Sequence, residues 1–118
     1  APPVIRIDLG EGEVRCRAEL DLRLHELIDD HARRLGVTCH HRSLAGRFGE
    51  LIREAARRAG QRTVVLIDEY DKPILDNQAD RDTAAALRNA LRSFYSVLKA
   101  ADADLAFVFL TGVPSSAR

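Results

Sequence analysis

With 118 residues, 46% of them hydrophobic and 31% charged, the chain has the composition of one ordinary globular domain with a modest core, which excludes disordered and fibrous classes. Lys plus Arg equals Asp plus Glu at 18 each, so bulk charge gives no reason to expect a nucleic-acid-binding surface, although a local patch is compatible with it. The longest apolar run is too short to span a membrane and no signal-peptide pattern opens the chain, which makes the cytoplasm the expected compartment.

Val4, Ile5, Ile7 and Leu9 predict a short first strand, interrupted by Arg6 and Asp8 and punctuated by Gly10 and Gly12. Leu20, Leu24, Leu27, Ile28, His31 and Leu35 then fall on one face of a helix that Gly36 stops. On that stripe His31 reads as a core or core-edge histidine rather than a catalyst. Leu44, Phe48, Leu51, Ile52, Ala55 and Ala59 repeat the spacing in a second helix, with Ser43 as N-cap and Gly60 as stop. The repetition reflects the helical period and not an internal repeat. Between the two helices stands Cys39-His40-His41. Adjacent residues chelate one ion poorly and no second Cys/His pair stands at zinc-site spacing, so a partly exposed loop is the expectation; Cys16 and Cys39 make no disulfide framework.

Thr63 to Ile67 is β-branched at every position but Leu66 and free of charge, the pattern of a central parallel strand buried on both faces. A polar loop from Glu69 to Ala79 follows, with Pro73 and Asn77 inside it. Asp80 or Asp82 can cap a third helix carrying Leu87, Leu91, Phe94, Tyr95 and Leu98. A last apolar strand, Leu105 to Thr111, ends in the turn Gly112-Val113-Pro114. The order β-α-α-β-α-β with right-handed crossovers predicts parallel strands and helices on the sheet faces, a three-layer α/β sandwich with a small parallel sheet. The absence of Met, a strand beginning almost at residue 1 and the abrupt ending Ser115-Ser116-Ala117-Arg118 suggest a piece of a larger protein.

Asp68 and Glu69 stand at the carboxyl end of the central strand, where open α/β sheets place their ligands. Paired carboxylates after a buried strand have the form of a Walker B element, in which an Asp helps to hold Mg²⁺ and a neighbouring carboxylate orients or deprotonates the attacking water. The other reading is a solvated strand end. Asp71 is expected to structure the loop or to act as a third acidic ligand. Lys72 is expected to be solvated, with phosphate or a neighbouring subunit as its other options, and Tyr70 to pack over the sheet end, with stacking on a ligand as its other option.

The segment Val64-Val65-Leu66-Ile67-Asp68-Glu69-Tyr70-Asp71-Lys72-Pro73-Ile74-Leu75 resembles the signature of the bacterial AAA-ATPase-like family. Phe48-Gly49-Glu50-Leu51-Ile52, Leu91-Arg92-Ser93-Phe94-Tyr95-Ser96-Val97-Leu98-Lys99 and Phe107-Val108-Phe109-Leu110-Thr111-Gly112-Val113 extend the resemblance over most of the chain. It implies that residues 1–118 are one partial P-loop ATPase domain of the ASCE type. Asp68 would be the Mg²⁺ and ATP-cofactor ligand, Glu69 the catalytic residue that polarises water, and Thr111 the sensor-position hydroxyl that bonds the attacking water or a γ-phosphate oxygen; the other reading of Thr111 is a strand-ending residue that bonds the following turn. Members of the family often carry a PD-(D/E)XK nuclease-like domain after the ATPase domain, which makes such a domain an expected partner in the same polypeptide.

One departure limits what these residues can do alone. No G-x-x-x-x-G-K-[ST] or shortened version occurs; Gly46-Arg47-Phe48-Gly49 lies inside a helical stripe with no Lys-Ser after it. Without that loop the phosphates lack their main ligands, so the isolated chain should bind nucleotide poorly and hydrolyse it negligibly. An ASCE sheet is ordered 5-1-4-3-2, and these strands would be 2, 3 and 4, contiguous in that order. Leu105–Thr111 would then expose an apolar edge that invites self-association. Two rival readings remain: a non-catalytic interaction module that keeps the fold, and an independent metal-dependent hydrolase site at Asp68, Glu69 and Asp71. The second lacks a lysine at nuclease-like spacing on a neighbouring strand.

Overall fold

The computed structural model describes residues 1–114; the terminal segment Ser115-Ser116-Ala117-Arg118 lies outside the described residues. Three strands, β1 (Val4–Asp8), β2 (Thr63–Asp68) and β3 (Leu105–Leu110), form one parallel sheet in the order β1-β2-β3. The helices are α1 (Arg17–Leu35), α2 (Leu44–Ala59), α3 (Lys72–Asp76) and α4 (Arg81–Ala100), with a 3₁₀ turn at Asp102–Asp104.

The long helices start and stop where local chemistry dictates. Ser43 Oγ accepts from the Gly46 N–H at the head of α2, and Asp80 accepts from the Thr83 N–H at the head of α4. Gly36 and Gly60 close α1 and α2 with φ of 70° and 65°, a left-handed backbone that other residues adopt only at a cost. The loop expected between Glu69 and Ala79 instead contains α3. Pro73 fits a first helical turn, where its missing N–H and fixed φ do no harm, and Lys72 reaches Asp76 one turn on at 2.6 Å. Five residues are too few to show a helical period in the sequence.

The layering also differs from the expected three-layer sandwich. Ile5, Ile7, Val65 and Ile67 are all fully buried, and they join Leu20, Leu24, Ile28, Phe48, Leu51, Leu87 and Phe94 in one core. Alternate residues project to opposite faces, so α1, α2 and α4 all lie on the face that carries these four. The opposite face carries no helix among the described residues, and of its apolar residues Val64 alone is buried, at 4% exposure, while Val4, Phe107 and Phe109 are exposed. Cross-strand register arranges it in three rows: Val4, Val64 and Phe107; Arg6, Leu66 and Phe109; then Asp8 and Asp68, with Thr111 beyond the end of β3. The reason is topological. The strands follow one another in a single direction across the sheet, and successive right-handed crossovers in one direction place every helix on the same side.

The two sheet edges are treated differently. In β1 the outward carbonyls belong to Val4, Arg6 and Asp8, and α1 donates to all three: Arg34 Nη2 to Val4 at 2.5 Å, His31 Nε2 to Arg6 at 2.8 Å and Arg23 Nη2 to Asp8 at 3.3 Å. His31 takes up its other nitrogen as acceptor from Arg34, which fixes the Nε2–H tautomer. Its place is the sheet edge. At the other side β3 has no such cover among the described residues, and Phe107, Phe109 and Leu110 are 50%, 60% and 49% exposed. The edge is apolar and has no Lys or Pro inside it, and although its register with β2 shifts at Thr63–Val64, the run Phe107–Leu110 beyond that irregularity is a template for pairing. The isolated chain is therefore expected to self-associate through β3, with Phe109→Lys restoring a monomer. Sizing at several concentrations checks this, and a wild-type chain that stays monomeric when concentrated would count against it.

Candidate functional site

The site lies at the carboxyl end of β2. Parallel register sets Asp8 opposite Asp68, and the last row of the open face therefore brings two carboxylates from neighbouring strands together with the Thr111 hydroxyl. Thr111 donates to Asp68 Oδ1 at 3.2 Å and accepts from the Glu69 N–H at 3.1 Å. One hydroxyl thus joins both acidic residues named from the sequence. The Tyr70 N–H continues the ladder to the Thr111 carbonyl at 3.0 Å, and the Thr111 N–H returns to Ile67 at 2.9 Å.

Among the described residues Glu69 is the one residue other than glycine with positive φ, at 53°. A side chain in that left-handed region costs about 1 kcal/mol or more, and such cost concentrates at sites where it aims a group. The turn points the Glu69 carboxylate across to the β1 end. There Gly10 leaves room for it: a Cβ on Gly10 would lie 1.7 Å from Glu69 Oε2. The Gly10 N–H meanwhile donates to Asp8 Oδ1 at 2.8 Å. Gly10 is thus a close-approach residue, where the sequence showed only a strand-ending glycine.

Arg6 was the least legible member. Its guanidinium straddles Asp68 Oδ2, with Nε and Nη2 both at 2.6 Å, and its Nη2 lies 3.7 Å from Asp8. The Asp68 hydrogen bond raises the guanidinium pKa further above its already high ordinary value. Arg6, Asp8, Gly10, Asp68, Glu69 and Thr111 line an open groove of about 530 Å³. Arg6 and Asp8 look in the sequence like the polar half of a half-buried strand, and no local signal tells which strand end they will face.

The other sequence candidates separate from this site. Asp71 accepts from the Val113 N–H at 2.9 Å, and its carbonyl from the Ile74 and Leu75 N–H groups, so it organises the loop. Lys72 donates to Asp76 and to the Gly12 carbonyl at 3.2 Å, and Asn77 Nδ2 to Val14 and Pro73 carbonyls at 2.7 Å, strapping α3 to the β1–α1 connection. The Tyr70 ring meets Tyr95 edge-on at 6.3 Å, and Tyr95 Oη donates to the Tyr70 carbonyl at 3.1 Å. Burial pushes the Tyr95 hydroxyl far above the ordinary tyrosine value, so it remains a donor.

Among the described residues no group of three or more His, Cys, Asp and Glu could hold a metal ion by itself. Cys39-His40-His41 is instead ordered by Glu50, a carboxylate only 8% exposed that accepts the His40 and His41 N–H groups at 2.7 and 3.0 Å. Burial pushes the Cys39 thiol pKa up, the protonated state in which cysteine ligates metals poorly. The His41 N–H hydrogen bond, with that of His40, holds the Glu50 carboxyl below the usual range despite its burial. Glu50→Ala is expected to destabilise the chain by about 2 kcal/mol at neutral pH, since it orphans two donors. The folded pKa lies below the unfolded one, so this stabilisation is complete above the unfolded value and is lost as pH falls through the folded one. Denaturant titrations at pH 7 and at acid pH should show the gap between wild type and variant closing.

A parallel α/β domain that collects carboxylates and a hydroxyl at the carboxyl end of its middle strand is of the open-sheet class, which places ligands there. Comparison with known proteins narrows the class. The chain belongs to the predicted AAA-ATPase family, whose model matches residues 1–117. It is similar to the "uncharacterized protein in vnfD 5′ region" of Azotobacter chroococcum mcd 1, at 46% identity over 111 residues, which cover 94% of this chain and 22% of that relative. The chain thus spans about a fifth of that curated relative's length. No solved structure matches it. Among the described residues, no helix is long and apolar enough to cross a membrane.

Proposed function

We propose that the acidic end of β2 is the Mg²⁺-facing half of an ATP-hydrolysing site, completed in the whole protein by a phosphate-binding loop that these residues do not contain. The observation that carries this reading is the Thr111 hydroxyl, which bonds Asp68 on one side and the Glu69 backbone on the other at the ends of adjacent parallel strands. A Walker B Asp, its neighbouring carboxylate and a polar sensor group call for that adjacency. The family and the strand order support it, since β1-β2-β3 is the sequence of strands 2-3-4 in an ASCE sheet. The edge chemistry supports it too: β1 is sealed by α1, as a true sheet edge should be, whereas β3 is open on the side where a further strand would pair.

The donor set suits a hard cation. Asp68 supplies a carboxylate oxygen and Thr111 a hydroxyl, the remaining ligands falling to nucleotide phosphates and water as is usual for Mg²⁺, and the Arg6 guanidinium already places positive charge against Asp68. Asp68 would hold Mg²⁺; when bound, the ion neutralises charge on the transferring phosphate. Glu69 accepts a proton from, or orients, the attacking water, aimed by its left-handed backbone and by the space at Gly10. Thr111 keeps Asp68 and Glu69 in register with each other. Arg6 has to leave Asp68, or share it, as the cation enters. The test is ATP turnover by the complete protein with Glu69→Gln, set against nucleotide binding by the same variant; unchanged turnover would sink the role given to Glu69.

A second reading has one observation in its favour. The fork of Arg6 on Asp68 gives that carboxylate a structural partner, as a non-catalytic interaction module that keeps this fold would have. Absence of a strand followed by Gly-Lys-Ser or Gly-Lys-Thr from the whole gene would decide for it. The reading leaves the nuclease-like domain as an expected neighbour, with no residue of this chain behind it.

A further inference from the structure

Away from the acidic site, the outer side of α4 forms a groove of about 390 Å³ against Tyr70 and α3. Its floor is apolar: Leu91 is buried, Ile74 packs against the core, and Tyr95 lies edge-on to both Phe94 and Tyr70. Its rim is cationic. Arg88, Arg92 and Lys99 stand on this side of α4, and among the described residues none of them forms an ion pair, although other arginines of the chain do. After Asp82 the helix contains no acidic residue that could pair with them. Arg88 and Arg92 are one turn apart, a spacing at which like charges weaken a helix, so they gain nothing locally by being there.

We infer that this groove binds an acidic amphipathic helix of a partner protein, its aliphatic side chains on the Leu91–Ile74–Tyr70 floor and its carboxylates on Arg88, Arg92 and Lys99. Charge complementarity selects the occupant. An apolar floor with an unpaired cationic rim is the complement of a helix with one leucine stripe flanked by Glu or Asp. The rim runs from residue 88 to 99, about 16 Å of helix axis, which a partner of about three turns spans. A single-stranded nucleic acid fits less well: Tyr95 is largely buried with its hydroxyl spent on the Tyr70 carbonyl, and Tyr70, 39% exposed, is left as the stacking platform where such proteins present several. The inference is independent of the nucleotide reading, since no groove residue is given a role in hydrolysis.

The chain carries its own reporter. Tyr70 and Tyr95 are its two tyrosines and it has no Trp, so its intrinsic fluorescence comes from this groove. The probe is a synthetic helical peptide with leucines at i, i+3, i+4 and i+7, glutamates elsewhere and no aromatic residue, titrated into the 118-residue chain. A saturable change is expected, weakened at least tenfold by the double reversal Arg88→Glu with Arg92→Glu and by raised salt. The reversed chain should instead take the same peptide with lysines replacing the glutamates, an exchange that a merely misfolded variant would not show. Three results overturn the inference: no saturation up to about 1 mM peptide, the weakest binding worth the name; equal response of the wild-type chain to the lysine peptide; or a twelve-residue oligothymidylate that outcompetes the glutamate peptide, which would assign the groove to nucleic acid.

Discussion

Glu69→Gln in the complete protein is expected to lower ATP turnover by about a hundredfold or more, the scale of a lost general base, while nucleotide still binds. The substitution isolates charge. Gln keeps the length and the volume, it adopts the left-handed φ of 53° at much the same cost, and the N–H bond to Thr111 belongs to the backbone and survives. What changes is that an amide cannot accept a proton at pH 7. A structural role predicts the opposite pattern, with turnover preserved and stability reduced. Thr111→Val and Thr111→Ser supply the control for positioning. Val removes the acceptor of the Glu69 N–H and the donor to Asp68 together, whereas Ser retains both, so recovery with Ser and not with Val ties the effect to the hydroxyl. Fold loss is read separately from thermal melting of each variant.

Much of the architecture is legible in the sequence because two periods carry it. The 3.6-residue stripes of α1, α2 and α4 and the unbroken run Thr63–Ile67 place their elements within a residue or two of where they lie. Capping chemistry at Ser43, Asp80, Gly36 and Gly60 is local and equally readable. The acidic pair at the strand end is readable for the same reason: strand, then carboxylates, is a contiguous pattern. What escapes is whatever depends on register or on a count of layers. That Arg6 and Asp8 face Asp68 follows from a pairing between residues about sixty positions apart, which no window shows. That Arg23, His31 and Arg34 line up against alternate carbonyls of β1 requires the docking of a helix along a strand, although the spacing of eight and three between them is itself helical. That the described helices share one face was in principle derivable. Strand order and crossover hand together put all helices on one face, and only the order could not be read without assuming a parent fold.

A chain of aromatic rings connects the core to the site. Phe48 of α2 and Phe94 of α4 are stacked with centroids 4.2 Å apart and planes within 7°, and both are essentially inaccessible to water. Phe94 meets Tyr95 edge-on at 6.0 Å, and Tyr95 meets Tyr70 and bonds its carbonyl, one residue from Glu69. Phe48→Ala is therefore expected to cost about 3–5 kcal/mol, the range for a buried phenylalanine whose cavity cannot collapse. Domains of this size have about 5–15 kcal/mol in total, and among the described residues one sheet face carries no helix, so the variant should stand near the edge of folding. Denaturant unfolding of Phe48→Ala, Phe94→Ala and the double variant measures both the cost and the stacking term, expected at about 0.5–1.5 kcal/mol beyond simple burial. A cost below about 1 kcal/mol for Phe48→Ala would mean that α2 and α4 do not meet through this pair. The milder Phe48→Leu keeps most of the volume and tests the link to the site. Because Tyr95 is braced by Phe94 on one side and holds the Tyr70 carbonyl on the other, loosening the stack should change tyrosine fluorescence while the chain remains folded. A change confined to the unfolding transition would leave the rings as core alone, with no mechanical connection to Glu69.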